Sequence, residues 1–218
     1  MDFLTSTILP GLLTGATVTI TVTLASLAIA ATLGFLLALV REFSGLRLLN
    51  FAIDAYVEYL RNIPALSHLF ILYFGLASIG FAITSIPAAI IGLGLVGSAV
   101  TCDIYRSGFS ALGKGQSEAA LAVGMTPMQV IWLILSPQAF RVALPPLGNY
   151  ALQLLKDTSV VSAIAAPEIM FYARSMVTST FQTTLIYSSA ALIYLAMSLP
   201  LAWGVTRLEK RFGGATDV

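Results

Sequence analysis

Four charged side chains stand inside otherwise apolar runs, in two pairs: Glu58 with Arg61, and Lys156 with Asp157. Ionisable groups in hydrophobic segments are costly there, and face a polar cavity or one another. Glu58 and Arg61 are three residues apart and share a helix face, so they read as a local pair, as members of an interhelical or near-surface structural salt bridge, or as pathway residues. Lys156 and Asp157 are adjacent and do not share a face, so they cannot simply neutralise each other. At least one of them faces another helix, a pathway or a solute. Ser159 and Ser162 add hydroxyls just beyond, and His68, the only histidine, is a packed or pore-facing polar residue in an apolar helix. These residue types suit the binding and passage of a polar solute.

Bond-making chemistry finds little support. No H-E-x-x-H or G-x-S-x-G occurs, and the single cysteine, Cys102, excludes an internal disulfide and a Cys-based metal cluster. Residues 108–115, GFSALGKG, come close to a phosphate-cradling loop. They carry Gly115 where a magnesium-holding hydroxyl is required, and they follow a hydrophobic helix rather than a strand. Neither a nucleotide nor any other cofactor is expected in this chain, so energy has to come from another polypeptide.

The elements that hold these residues are set by composition. The 218 residues are 58% hydrophobic and 10% charged, far below the roughly one quarter charged of soluble proteins. This is an integral membrane protein in contact with the lipid bilayer. A net charge of +1 argues against a nucleic-acid partner. MDFLTSTILP has no basic n-region, so the first hydrophobic segment is expected to be retained rather than cleaved. No linker or repeat divides the chain, and residues 1–218 read as one domain.

A span needs about 20 apolar residues. The expected spans are about 14–40, 51–77, 87–104, 146–166 and 184–205, the fourth starting at Pro145-Pro146. Thr17, Thr19, Thr21, Thr23 and Ser26 suit close helix packing in span 1, and Asn62-Ile63-Pro64 predicts a kink in span 2. Residues 118–140, EAALAVGMTPMQVIWLILSPQAF, form a sixth apolar run. Charge decides whether it crosses. With five crossings, one side receives Arg41, Arg47, Arg106, Lys114, Arg141, Arg207, Lys210 and Arg211, and the other only Arg174. With six, this bias towards the cytoplasmic side is lost. Five crossings are expected, with the N-terminus outside, the C-terminus in the cytoplasm, and a cytoplasmic loop over about 107–140.

Turn chemistry shapes that loop. Ser117-Glu118 is a helix start, Gly124 a left-handed stop, and Thr126-Pro127-Met128-Gln129 a capping box that begins a second helix. On these grounds alone it is either a packed connection or a docking element. The external stretch PEIMFYARSMVTSTFQ, with Glu168 and Arg174, reads as a solvated loop or a contact surface, its Phe171 and Tyr172 as an interfacial aromatic belt.

Glu118-Ala119-Ala120, Gly124 and the apolar run ending near Pro137 resemble the EAA loop of permease subunits of bacterial ATP-binding-cassette importers. Residues 56–76, YVEYLRNIPALSHLFILYFGL, and 154–164, LLKDTSVVSAI, are similar to the second- and fourth-helix patterns of the polar amino acid permeases in that family. Ser136 stands where many relatives have Leu.

The resemblance implies an all-α membrane protein of the type I importer permease fold, with five transmembrane helices and a coupling helix between the third and fourth. It implies ATPase docking through Glu118, Ala119, Ala120 and Gly124. The implied partners are a second permease subunit, two ATPase subunits that bind ATP and Mg, and an extracytoplasmic binding protein, at the bacterial inner membrane. Glu58, Arg61, His68, Lys156, Asp157, Ser159 and Ser162 become candidates for the solute pathway, with Asp157 suited to a zwitterion's amino group. A stand-alone channel or ion-gradient carrier is the alternative, and would give the hairpin no evident job.

Overall fold

The structure, a computed structural model, describes residues 4–212. Its helices are α1 (Leu4–Phe43), α2 (Arg47–Asn62), α3 (Ala65–Ser78), α4 (Ser85–Ser110), α5 (Lys114–Ala122), α6 (Pro127–Ile164), α7 (Ile169–Thr180) and α8 (Thr183–Phe212). α1, α4, α6 and α8 are each long and apolar enough to cross a membrane, and the bent pair α2–α3 meets the same measure only when its two limbs are taken together.

The most extensive contact is the parallel seam of α1 and α4. Thr19, Thr23, Ser26, Ala30, Gly34 and Ala38 are buried in α1, and small residues there let the two backbones approach. A Cβ on Gly34 would lie 2.8 Å from the Cys102 nitrogen. Hydroxyls lace the seam: Ser26 Oγ donates to the Ile90 carbonyl at 3.1 Å and Thr101 Oγ1 to the Ala30 carbonyl at 2.5 Å. α6 returns antiparallel to α4, with Gly108 against the Ala139 carbonyl and Gly97 against Tyr150. α8 runs back along α6, where Gly148 meets Val205. The ends of α1, α4 and α8 therefore share one end of the bundle with α5, called here the loop end. The start of α1 and all of α7 lie at the other.

Three expectations about span limits change. Span 1 is expected from about residue 14, but α1 runs on from Leu4 through Pro10, with a wider π-type turn over Leu4–Ile8 just before that proline. Span 2 is expected as one kinked helix, but α2 and α3 meet at 102°. Pro64 drives Ile63 out of the helical region, and both residues are extended, with ψ 136° each. Two consecutive extended residues turn the chain rather than kinking it. α2 is amphipathic, burying Ile53, Val57 and Leu60 against α4. α3 is about 21 Å long at 1.5 Å per residue, short of the roughly 30 Å hydrocarbon core.

Span 4 is expected to begin at Pro145-Pro146, but α6 passes through both prolines from its start at Pro127. The helix adapts elsewhere. Val130–Leu135 is a wider π-type turn just before Pro137, where the proline ring would otherwise meet the carbonyl four residues back. Thr158–Ile164 narrows to a 3-10 turn. There Thr158, Ser159 and Ser162 each donate a hydroxyl proton to the carbonyl three residues earlier.

Candidate docking hairpin and solute cavity

At the loop end, α5 starts at Lys114 after an extended Gly113, one turn before the expected Ser117-Glu118 start. Ser117 is already inside the helix, and its Oγ donates back to the Lys114 carbonyl at 2.8 Å. The stop at Gly124 is a Schellman turn: φ is +87°, Gly124 N–H donates to the Leu121 carbonyl at 3.0 Å, and Met125 N–H to the Ala120 carbonyl at 3.2 Å. The restart is a closed capping box, with Gln129 N–H on Thr126 Oγ1 at 3.4 Å and Thr126 N–H on Gln129 Oε1 at 2.8 Å.

Ala120 is buried where α5 packs on the wide turn of α6, whereas Glu118, Ala119 and Gly124 are exposed. Beside them Val123 is 79% and Met128 63% exposed. The hairpin is thus a compact knob with an apolar tip.

Above it, ion pairs tie three helices together. Arg41 (α1) donates to Asp54 (α2) at 2.7 Å, and Arg106 (α4) lies 3.8 Å from Asp54 and 3.4 Å from Asp103 (α4). Arg61 (α2) pairs with Asp103. Of the readings open for this pair, the interhelical bridge is the one Arg61 forms, and the local Glu58–Arg61 pair is not: Glu58 accepts from Asn62 Nδ2 at 2.7 Å. The two side chains share a face, but Asp103 on α4 offers Arg61 a carboxylate across the helix pair. His68 is buried, its ring edge-on to Tyr59 at 5.2 Å. Beside the α2–α3 break, Arg61, Asn62, Pro64, Val96 and Val100 line an open cavity of about 420 Å³.

A larger cavity of about 500 Å³ opens between α6, α7 and α8, lined by Lys156, Ser159, Met170, Tyr187, Ala191 and Tyr194. Its size lies within the range of small-molecule sites. Of the residues proposed from sequence, Lys156 and Ser159 reach this wall together. Asp157 lies on the neighbouring face and accepts from Gln153 Nε2 at 2.9 Å. Ser162 is buried and takes a 3.5 Å contact from Arg174 Nη2. Glu58 and His68 lie near the break instead.

Glu168 departs most from its expected role as a solvated loop residue. It is fully buried, capping α7 through Oε1, which accepts from Phe171 N–H at 2.7 Å, while Oε2 accepts from the Tyr194 hydroxyl at 2.6 Å. Burial pushes this carboxyl up from its ordinary range, against the pull of the Tyr194 hydroxyl, the α7 amides and Arg174. Gly15 makes the fit: a Cβ there would sit 2.7 Å from the Ile169 nitrogen. An acidic residue just before an apolar helical run is an N-cap signal, and was the one available clue.

The sequence matches the family described as "Binding-protein-dependent transport system inner membrane component" over residues 30–214. The chain belongs to that family. It is 39% identical to the probable glutamine ABC transporter permease protein GlnM of Bacillus subtilis, over 72% of this chain and 73% of that one. It is 35% identical to the probable amino-acid ABC transporter permease protein YckA of the same organism, over 93% and 89%. Its backbone superposes with a TM-score of 0.88 on a solved amino acid ABC transporter with histidines, at 29% identity, covering 97% of this chain and 99% of that one. The permease is therefore a multi-pass inner-membrane transport component of an ATP-driven, binding-protein-dependent importer, with the all-helical type I importer fold.

Proposed function

We infer that this permease pairs with a second copy or a homologue and rests on two ATPase subunits through the α5–α6 hairpin. The pair takes a polar amino acid from an extracytoplasmic binding protein and passes it inward by alternating access. The observation that carries this reading is the hairpin: a rigid turn stopped at Gly124, restarted at Thr126, and left with Glu118, Ala119, Val123 and Met128 uncovered. ATP and magnesium belong to the partner ATPase, and this chain performs no bond chemistry. Closure of the ATPase dimer draws the two hairpins together and turns the cavity outward.

The loop end faces the cytoplasm on this reading. Arg41, Arg47, Arg106, Lys114, Arg141, Arg207, Lys210 and Arg211 gather there, and Arg174 stands at the opposite end. The names of the relatives, one a probable glutamine permease, support an amino acid as cargo. Lys156 and Ser159 are the residues of this chain best sited to meet it.

The test is affinity purification of the tagged permease from membranes, then reconstitution into vesicles. A stoichiometric ATPase subunit and ATP-dependent uptake are expected. Uptake by the permease alone, driven by an ion gradient, would overturn the reading.

A further inference from the structure

We propose that the outward face of α8 lies against lipid, and that its inner end binds the phosphate of an anionic phospholipid through Arg207, stacked on Trp203, with Lys210 beside it. The leaflet is the cytoplasmic one, on the reading above that the loop end faces the cytoplasm.

The outward face has the dimensions of a bilayer. Ile186, Ala190 and Val205 turn into the bundle, while Leu185, Leu192, Leu199 and Trp203 are exposed. These four stand at i, i+7, i+14 and i+18, which keeps them on one face. From Leu185 to Trp203 is about 27 Å at 1.5 Å per residue, close to the roughly 30 Å hydrocarbon core. An exposed Phe181 stands just before the outer end, and Trp203, 63% exposed, closes the inner one. Aromatic side chains gather at those two levels of a membrane. Where this protein packs helix on helix, at the α1–α4 seam, it buries small residues and hydroxyls. The large side chains on the α8 face are leucines instead, and they suit acyl chains.

At the inner end the charges are sorted. The Arg207 guanidinium lies 3.6 Å above the centre of the Trp203 ring, and Lys210, three residues on, shares its face. A guanidinium stacked on an indole keeps its N–H groups directed outward in its own plane, where they meet a phosphate bidentately. Arg207, Lys210 and the neighbouring Arg211 form no ion pair among the described residues. The carboxylate among them, Glu209, is turned to the bundle and accepts from Asn149 Nδ2 of α6 at 3.0 Å. Three other arginines of the loop end, Arg41, Arg61 and Arg106, are by contrast neutralised by Asp54 and Asp103. The end of α8 therefore presents uncompensated cations at the foot of an apolar stripe, which is the pattern of a phospholipid in reverse.

The test uses the purified permease–ATPase complex in nanodiscs of phosphatidylcholine with a minority of phosphatidylglycerol, with retained lipids identified by native mass spectrometry. Phosphatidylglycerol is expected to be retained over phosphatidylcholine, and Arg207→Gln to lower that retention about fivefold. Trp203→Leu keeps the charge but removes the platform, and a smaller loss is expected. Arg47→Gln removes an exposed arginine of α2 at the same end of the bundle and should change nothing. Leu192→Cys reports what covers the face, and oxidation is expected to join no two copies. Co-purified ATPase and melting temperature check that each variant assembles. Equal retention of the two lipids by the wild type, or unchanged retention in either Arg207→Gln or Trp203→Leu, overturns the proposal. So does a loss in Arg47→Gln as large as in Arg207→Gln, which marks diffuse surface attraction, or displacement of phosphatidylglycerol by millimolar inorganic phosphate, which marks a free-anion site. A disulfide between Leu192→Cys copies would put a second permease on this face and overturn it too. A permease that purifies without an ATPase, yet retains phosphatidylglycerol through Arg207, would sink the import reading and support this one.

Discussion

The hairpin at the loop end and the cavity end are built in opposite ways. Every bond that shapes the hairpin is local: Gly124 to Leu121, Met125 to Ala120, Thr126 with Gln129. The cavity end is closed by partners far apart in the chain, with Tyr194 on Glu168, Arg174 on Ser162, and Gly15 against the backbone of Glu168 and Ile169. A locally closed element keeps its shape when its surroundings move. A wall assembled from three helices changes whenever one of them shifts. That division suits a part that is pushed and a part that opens.

Substitutions at the two ends sharpen the contrast. Gly15→Leu is expected to have the largest effect, because its Cβ meets backbone rather than a movable side chain. A loss of about 3 kcal/mol is expected from such overpacking, read as a lower melting temperature in detergent. An unchanged melting temperature would mean that α7 does not seat on α1 as described.

Glu168→Ala comes next. It uncaps α7 and strands the Tyr194 hydroxyl, at a cost of about 2 kcal/mol. Hydrogen exchange should rise in α7 but not in the hairpin, and exchange rising equally at both ends would erase the distinction between them.

Gly124→Val attacks the other end. The position has open space around it but φ +87°, so the cost is conformational, about 1–2 kcal/mol. The melting temperature should fall by only a few degrees, less than for Gly15→Leu, while ATP hydrolysis uncouples from uptake. Normal coupled uptake would count against the docking role.

Arg61→Ala should matter least. Its bridge to Asp103 is partly exposed, with 47% of the arginine side chain accessible, and such pairs contribute about 1 kcal/mol or less. A larger drop in thermal stability would mark the α2–α4 ion pairs as structural supports.

The same division explains what could be read from the sequence. Gly124 and Thr126-Pro127-Met128-Gln129 carry their conformations in their own chemistry, and both turns appear as expected. The helices apolar enough to cross were legible because hydropathy is a property of the residues themselves. An interhelical bridge for Arg61 was among the readings of the sequence, but its partner was not, because helix spacing reveals neighbours on one helix and Asp103 lies 42 residues on. Glu168 looked solvated because its burial depends on a glycine in α1 and a tyrosine in α8. Pro145-Pro146 looked like a helix start because prolines usually stand there. A helix already running from Pro127, with neighbours on both sides, carried them inside.

That unbroken helix has a mechanical consequence. α6 carries the hairpin's second limb at Pro127 and the cavity's Lys156 on a single rod. The two points are about 44 Å apart at 1.5 Å per residue. Tilting such a rod about its base by about 5° carries Lys156 sideways by about 4 Å over that length, comparable to the width of an amino group. The helix is a lever whose short stroke at the hairpin becomes a longer one at the cavity, to the extent that the wide turn at Val130–Leu135 and the prolines at 145 and 146 hold their shape.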